Sequence, residues 1–314
     1  NEVFGGSPDY YKTTLKHIDE ATVQDLQQAA KYWLSDGVYI LEVHPYPEYK
    51  TADSQVDRSS LPVPGAPPAV AFPAIQRATL SNGLKVVLAE RHSVPLANLS
   101  LIVDAGWAAD QGALLGTAGL ALDMMDEGTK SRSALEINEQ LSLLGARLST
   151  GSNLDVSTVT LSTLTEKLDA ALDIYSDVIL NPAFPEQELS RLKKQSLAKI
   201  QQEKASPFTM ALRLLPQYLY GQEHAYGVPF TGSGTEASMD KMTVQVLQNF
   251  HQTWFKPNNA TLVVVGDVKL ADLTPKLEQA FKSWKKGSAP KKRLTTVAAK
   301  TTSQTYLIDK PQAQ

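Results

Sequence analysis

Four short segments of this chain have the apolar runs or the strict alternation that are typical of strands. They are residues 83–90 (GLKVVLAE), 97–106 (ANLSLIVDAG), 155–164 (DVSTVTLSTL) and 260–268 (ATLVVVGDV). The third alternates polar and apolar positions, which predicts a strand with one face exposed.

Longer segments between these runs follow the helical spacing of apolar residues. The pattern predicts helices over residues 113–125, 133–144, 165–180, 185–204 and 207–220. Ser133 and Glu136 have the spacing of a capping box, which fixes the start of the second helix. Strands that come in pairs between long helices favour an α+β fold, in which a mostly antiparallel sheet packs against a layer of helices.

A segment near the start of the chain is repeated later in it. Residues 18–43 align without a gap on residues 239–264, with nine identities. Each copy predicts a helix that begins after a threonine and ends near a tryptophan, followed by a turn and an apolar strand. The repeat favours a duplicated domain over two unrelated helix–strand units.

Composition and charge narrow the classes of function. The 314 residues carry a formal net charge of −3, so no overall basic field favours nucleic acid as a partner. One basic cluster, at residues 282–293, is interpreted as a solvated helix end and linker in preference to a phosphate-binding patch. No apolar run reaches the roughly 18–20 residues of a membrane span. Cysteine is absent, which excludes cysteine-ligated zinc and suits a periplasmic protein, so we expect a soluble, periplasmic location.

Five stretches follow one another in the order and at the spacing of a known family. They are residues 80–106 (LSNGLKVVLAERHSVPLANLSLIVDAG), 126–149 (DEGTKSRSALEINEQLSLLGARLS), 180–189 (LNPAFPEQEL), 224–243 (HAYGVPFTGSGTEASMDKMT) and 255–268 (FKPNNATLVVVGDV). In this series the chain resembles the insulinase/pitrilysin family of zinc peptidases, whose motif is an inverted H-x-x-E-H on a helix.

The resemblance implies a chain built from repeated insulinase-like α/β subdomains. Residues 1–47 are then the C-terminal tail of a preceding subdomain, and the proline-rich residues 48–73 are a linker. Residues 74–299 form one subdomain with a degenerate metal motif, and residues 300–314 begin the first strand of a following subdomain.

The resemblance also implies where a zinc site would lie. In the family, two histidines at i and i+4 bind zinc, a glutamate at i+3 is the general base, and a glutamate on a later helix completes the coordination. Laid without gaps on residues 116–129 (GTAGLALDMMDEGT), this pattern places Gly119 and Asp123 at the histidines and Leu122 at the base. The later glutamate falls at Ala198 or Lys199, and a lysine there would repel zinc.

Another register cannot restore the motif. The five histidines stand at positions 17, 44, 92, 224 and 251, and none lies between His92 and His224. We therefore predict no catalytic, metal-binding or cofactor-binding residue in this chain. The helix is expected to supply apolar core contacts instead, from Leu120, Leu122 and Met124 or Met125.

The remaining candidate residues favour structural roles. Asp123, Asp126 and Glu127 are interpreted as a helix end facing solvent rather than as a cation site. His44 and His92 have no partner nearby in the sequence, so each is expected to be structural or exposed, and His224 is expected to pack or to form hydrogen bonds. Residues 231–236 (TGSGTE) lack the lysine of a phosphate-binding loop.

The resemblance finally implies a function. In the family an active and an inactive half face one another around a chamber, so this chain is predicted to be the non-catalytic half of a zinc metalloendopeptidase. It would close the chamber and help hold an unfolded or short peptide along strand 147–164, while zinc and catalysis lie in a sister half or subunit. The alternative is an assembly scaffold, similar to the processing-peptidase-like core subunits. An intact H-x-x-E-H in the preceding unit favours the first, and a second degenerate helix favours the scaffold.

Overall fold

The computed structural model describes residues 2–35, 37, 40–42, 65 and 73–308. The chain divides into two compact units, Asn1–Pro68 and Ala69–Gln314. His44 and the predicted linker, apart from Gly65 and Pro73, lie outside the described residues.

The first unit contains three helices, α1 (Glu2–Gly5), α2 (Tyr10–Glu20) and α3 (Val23–Leu34). Thr22 begins α3 with a capping box: its hydroxyl accepts from the Asp25 backbone N–H, and the Asp25 carboxylate accepts from the Thr22 N–H. This start matches the one predicted from the repeat. No residue of α3 is buried, and Trp33 is 75% exposed.

The second unit is built on a sheet of six strands. The strands are β1 (Ile75–Thr79), β2 (Lys85–Glu90), β3 (Leu96–Val103), β4 (Arg147–Ser152), β5 (Ser157–Leu164) and β6 (Ala260–Gly266). Their order is β1-β2-β6-β3-β5-β4, and every pair is antiparallel except β2–β6. The predicted mostly antiparallel sheet is thus confirmed. The stretch 147–164 is a hairpin of β4 and β5 rather than one strand.

Alternation along the strands divides the sheet into a buried and a half-exposed face. In β5, Val159 and Leu161 are fully buried, while Thr158 and Thr160, which alternate with them, are only half-buried. Leu99 and Leu101 of β3 and Leu262 of β6 continue the same buried face. The polar-apolar alternation predicted for residues 155–164 is confirmed, because the hydrophobic residues lie on the face that forms the core.

In its described part the second unit has eight helices. They are α4 (Thr117–Asp123), α5 (Ala134–Leu143), α6 (Leu168–Leu180), α7 (Glu186–Ala205), α8 (Pro207–Tyr220), α9 (Glu236–Asp240), α10 (Val244–Trp254) and α11 (Leu270–Ala280). Of these, α9 and α11 were not predicted from the sequence; α6 lies near β5 and α11 near β1 of the sheet. The predicted capping box at Ser133 is present at the start of α5. Two predicted helices begin late: α4 starts at Thr117, and a 3-10 turn over Thr165–Lys167 precedes α6.

The two copies of the repeat differ in burial. Helix α10 starts after Thr243, as α3 starts after Thr22, and its Leu247 and Trp254 are buried at 0% and 6% exposure. The equivalent residues of α3, Leu26 and Trp33, are mostly exposed. Only the second copy therefore has an apolar face covered by described residues.

Two further observations concern membrane spans and the C-terminal residues. Among the described residues, no helix combines the length and the apolar composition that crossing a membrane requires. Residues 301–308 contain no strand, and 309–314 lie outside the described part. The start of a following subdomain at 300–314 remains a prediction.

Candidate functional site

Helix α4 carries the predicted degenerate motif, and its start is set by two residues. Gly116 has a φ of 88°, in the left-handed region that favours glycine, so the helix cannot continue back toward residue 113. The buried carboxylate of Asp110 accepts hydrogen bonds from the backbone N–H groups of Gly116 and Ala118, at 2.8 and 2.9 Å. The predicted start at residue 113 is wrong because this loop and its cap replace the first turn.

Three of the four predicted positions meet at one pocket. Gly119 and Asp123, one helical turn apart on α4, share a face and line a cavity of about 200 Å³ together with Lys199 of α7. Leu122 does not line this cavity and is fully buried in the core. The fold therefore brings together three of the positions predicted to replace metal-site residues, while Leu122 lies in the core, and their equivalence to the family's site stays a prediction.

The donor set of this pocket does not fit zinc. Of the three predicted positions, Gly119 has no side chain, Lys199 is a cation that repels a metal ion, and Asp123 alone offers a carboxylate; the other side-chain oxygens of the pocket are neutral serine and threonine hydroxyls, which are not the usual zinc ligands. Within the described part of the chain, no group of three or more histidine, aspartate or glutamate side chains has an arrangement that holds a metal ion.

Asp123 lies at the open side of the pocket, yet its carboxylate is partly surrounded by protein. This burial raises its pKa, while the charge of Lys199 opposes the rise and Glu127 adds to it. The pocket thus pairs one carboxylate with one ammonium group, an arrangement suited to polar recognition rather than to metal-assisted hydrolysis.

A glycine-rich loop closes the pocket opposite α4. A Cβ on Gly232 would meet the Trp107 ring at 2.1 Å, and the carbonyl oxygen of Gly232 lies 3.3 Å from a Cβ built on Gly119. The buried Arg213 holds this loop in place. Its guanidinium donates hydrogen bonds to the Glu203 carboxylate, the Ser233 hydroxyl and the Gly234 carbonyl, each at 2.6 Å. No pattern in the sequence predicts this network, because Glu203 and Arg213 look like ordinary surface charges on two helices.

The acidic residues after α4 are less exposed than predicted. Asp126 is half-buried, and burial raises its pKa. Glu127 forms an ion pair with Arg191 of α7. Asp126 and Glu127 are thus only partly exposed, and Glu127 has a countercharge on α7, whereas Asp123 is exposed as predicted for a solvent-facing helix end.

The histidines have structural surroundings. His92 stands between Asp267 and Glu90, at 2.6 and 3.0 Å, and these hydrogen bonds raise its pKa. The expectation that His92 has no partner nearby in the sequence is wrong, because Glu90 lies two residues before it; Asp267 follows β6 and meets His92 through the β2–β6 pairing. His224 is buried, lies 3.1 Å from the Thr295 carbonyl oxygen and accepts from the Tyr226 N–H, which confirms its predicted role.

Comparisons with known proteins agree with this architecture. Residues 85–227 match the model of the insulinase family, peptidase family M16, and residues 241–314 match the model of the M16 inactive domain. An uncharacterized zinc protease of Bacillus subtilis, YmxG, is 24% identical over 62% of this chain and 47% of its own length. A Helicobacter pylori protein described as the non-peptidase homolog YmxG is 24% identical over 65% of this chain and 46% of its own.

A solved structure of an M16 domain has a similar fold. The crystal structure of a peptidase M16 inactive domain from Pseudomonas fluorescens is 29% identical and superposes with a TM-score of 0.67, covering 71% of this chain and 54% of that one. The chain spans about half the length of the curated relatives that it matches. The two family models together match more than half of its residues, and the chain belongs to peptidase family M16.

Proposed function

We propose that this chain is a non-catalytic part of an M16 zinc metallopeptidase, which helps to enclose and hold a peptide while a sister half or subunit carries zinc and catalysis. The observation that carries this proposal is the pocket of Gly119, Asp123 and Lys199. The family fold brings these positions together, but their side chains cannot form a zinc ligand set.

The free edge of the sheet supports a peptide-holding role. Strand β4 is the last strand in the sheet order and, among the residues that the structure describes, pairs only with β5, so its other side offers backbone donors and acceptors. Its last two residues, Gly151 and Ser152, also line the pocket beside α4. An extended peptide added to β4 would therefore run past the pocket, bound through its backbone with little dependence on sequence.

A pair of proline substitutions in the full chain tests this site. Ser149 and Thr150 are neighbours in β4, so one directs its N–H toward β5 and the other directs its N–H toward the open edge. Of Ser149→Pro and Thr150→Pro, we expect one to lose a ladder hydrogen bond and to lower the melting temperature. The other variant keeps the hydrogen bonds between β4 and β5 and removes a backbone N–H donor from the open edge of β4.

Binding of a short, neutral, unstructured fluorescent peptide is the measurement. The variant with the unchanged melting temperature should bind it at least tenfold more weakly than the unsubstituted chain. Equal binding by both would exclude β4 as the holding site. Absence of binding to the unsubstituted chain, alone or mixed with a catalytic M16 partner, would contradict the holding role itself.

The scaffold alternative is favoured by one finding, the description of the Helicobacter relative as a non-peptidase homolog. A scaffold should stabilise an assembly without binding peptide, so the same peptide measurement separates the two functions. The periplasmic location stays a proposal that rests on the absence of cysteine.

A further inference from the structure

A second cavity, which we call the basic groove, lies away from the α4 pocket. Its volume is about 790 Å³, and Lys130, Lys256 and Lys285 stand at its rim. None of the residues that line it is an aspartate or a glutamate. The groove therefore concentrates positive charge, although the net charge of the whole chain is −3.

The three rim lysines lack countercharges. None of them forms an ion pair with any residue that the structure describes, whereas Arg191, Lys204 and Lys292 elsewhere do pair with carboxylates. Lys285 belongs to the basic cluster at 282–293, and it is exposed, as a solvated helix end requires. Trp284 is buried and donates its indole N–H to the Phe255 carbonyl at 2.9 Å, which fixes Lys285 beside the groove.

The nearby helix ends offset only part of this positive charge. Helices α6, α10 and α11 end next to the groove, at Leu180, Trp254 and Ala280. Each helix C-terminus carries about half a negative charge, roughly one and a half charges together. Three lysines exceed this sum, so the groove keeps a net positive potential that a bound anion would neutralise.

The floor of the groove is rigid and aromatic. Phe184, Phe255 and Trp284 are each less than 8% exposed. Phe184 has a φ of 52°, a left-handed conformation that is uncommon for a bulky residue and that is tolerated where the surrounding structure fixes it. The rim lysines therefore stand on a preformed surface, which limits the ordering that binding requires.

The groove also offers groups that match a peptide backbone. His251 stacks on Phe255 with ring centroids 4.8 Å apart, and its Nε2 lies 2.8 Å from the Ile179 carbonyl oxygen, to which it must donate. Burial lowers the pKa of His251 to about 4, so the ring is neutral near pH 7 and its Nδ1 can accept from an N–H. The side-chain amides of Gln248 and Gln252 line the same cavity.

We infer that the basic groove binds an acidic peptide segment, with the three lysines holding carboxylates and the amides and His251 contacting its backbone. A single phosphate would leave most of a cavity of about 790 Å³ empty, and no lining residue is an arginine that could grip phosphate in the usual bidentate way. The groove is a different surface from β4 and does not depend on edge pairing.

The test uses the full chain and a fluorescein-labelled peptide rich in glutamate and aspartate, followed by anisotropy at low and moderate salt. The variant Lys130→Gln/Lys256→Gln/Lys285→Gln should weaken binding at least tenfold. Its matched control, Lys85→Gln/Lys194→Gln/Lys241→Gln, removes the same charge from exposed positions and should change binding less than twofold. The β4 proline variant that keeps its melting temperature should still bind the acidic peptide.

Three outcomes would overturn the inference. Equal weakening in both triple variants would mean general charge attraction rather than a site. In the β4 proline variant that keeps its melting temperature, equal binding of a neutral peptide of the same length would remove the role of the lysines. Tighter binding of inorganic phosphate or of a single-stranded DNA of equal charge would assign the groove to a phosphate ligand. None of these results bears on the neutral-peptide test of β4, so the two proposals fail separately.

Discussion

At the residue scale, Asp110 shows how one buried carboxylate positions the candidate site. It is 2% exposed, and both of its oxygens accept backbone N–H groups at the start of α4. Burial outweighs these hydrogen bonds and raises its pKa from 3.8 to about 7. Asp110 thus stabilises the loop that positions Gly119 and Asp123. This stabilisation decreases as the pH rises, because the buried carboxyl group becomes charged.

The pKa of Asp110 predicts a dependence of stability on pH. Because the carboxyl ionises at lower pH in the unfolded chain than in the folded one, its contribution is present below about pH 4 and is lost as pH rises through about 7. Asp110→Asn cannot ionise and presents an N–H to one of the two backbone donors, which should destabilise the protein by about 1–3 kcal/mol.

Urea unfolding at pH 5, 6 and 7.5 measures this prediction. The advantage of the unsubstituted protein over Asp110→Asn should be largest at pH 5 and should narrow at pH 7.5. A difference that stays constant across this range would show that Asp110 does not titrate there.

The sequence predicted which residues replace the metal ligands but not what surrounds them. Gly119, Asp123 and Lys199 follow from a gap-free comparison of motifs, and helical spacing explains why the first two share a face. Arg213 and Glu203 gave no such signal, because their burial arises only when α7 and α8 pack together below the 231–234 loop.

At the element scale, Tyr175 joins α6 to the sheet. Its hydroxyl donates to the Val159 carbonyl of β5 at 2.8 Å and accepts from the Leu101 N–H of β3 at 3.0 Å. These two residues are paired in the β3–β5 register, so the hydroxyl bridges neighbouring strands in the middle of the core.

Tyr175→Phe keeps the ring and leaves both buried backbone groups without this partner. We expect a loss of about 1–3 kcal/mol in the free energy of unfolding. Tyr226→Phe is the matched control, because its hydroxyl bonds to the exposed side of Asp155 and its loss should cost about 0.5 kcal/mol or less. Denaturant unfolding of both variants would contradict this account if the two losses were the same.

Strands with strong alternation were predicted well because alternation is a local property. Strand β1 was missed, since IQRAT has no buried position and pairs only along the edge of the sheet. The start of α4 was misplaced because it depends on Gly116 and on Asp110, whose contact with it is formed only in the folded loop.

At the scale of the whole molecule, the repeat predicts that α3 belongs to a subdomain of the same kind as the one that contains α10. Helix α3 has the capping and the apolar positions of α10 but no buried residue, so its exposed face is suited to a subdomain like the one that covers α10. This interpretation agrees with a chain that spans about half of its relatives, and the order of subdomains remains a prediction.

The most direct test of the central claim is the zinc content of the full chain after incubation with zinc and dialysis, measured together with cleavage of a quenched peptide. The account predicts far less than one zinc per chain and no cleavage that a chelator abolishes, because Gly119, Asp123 and Lys199 do not form a ligand set. One zinc per chain, lost in Asp123→Asn together with chelator-sensitive cleavage, would contradict it.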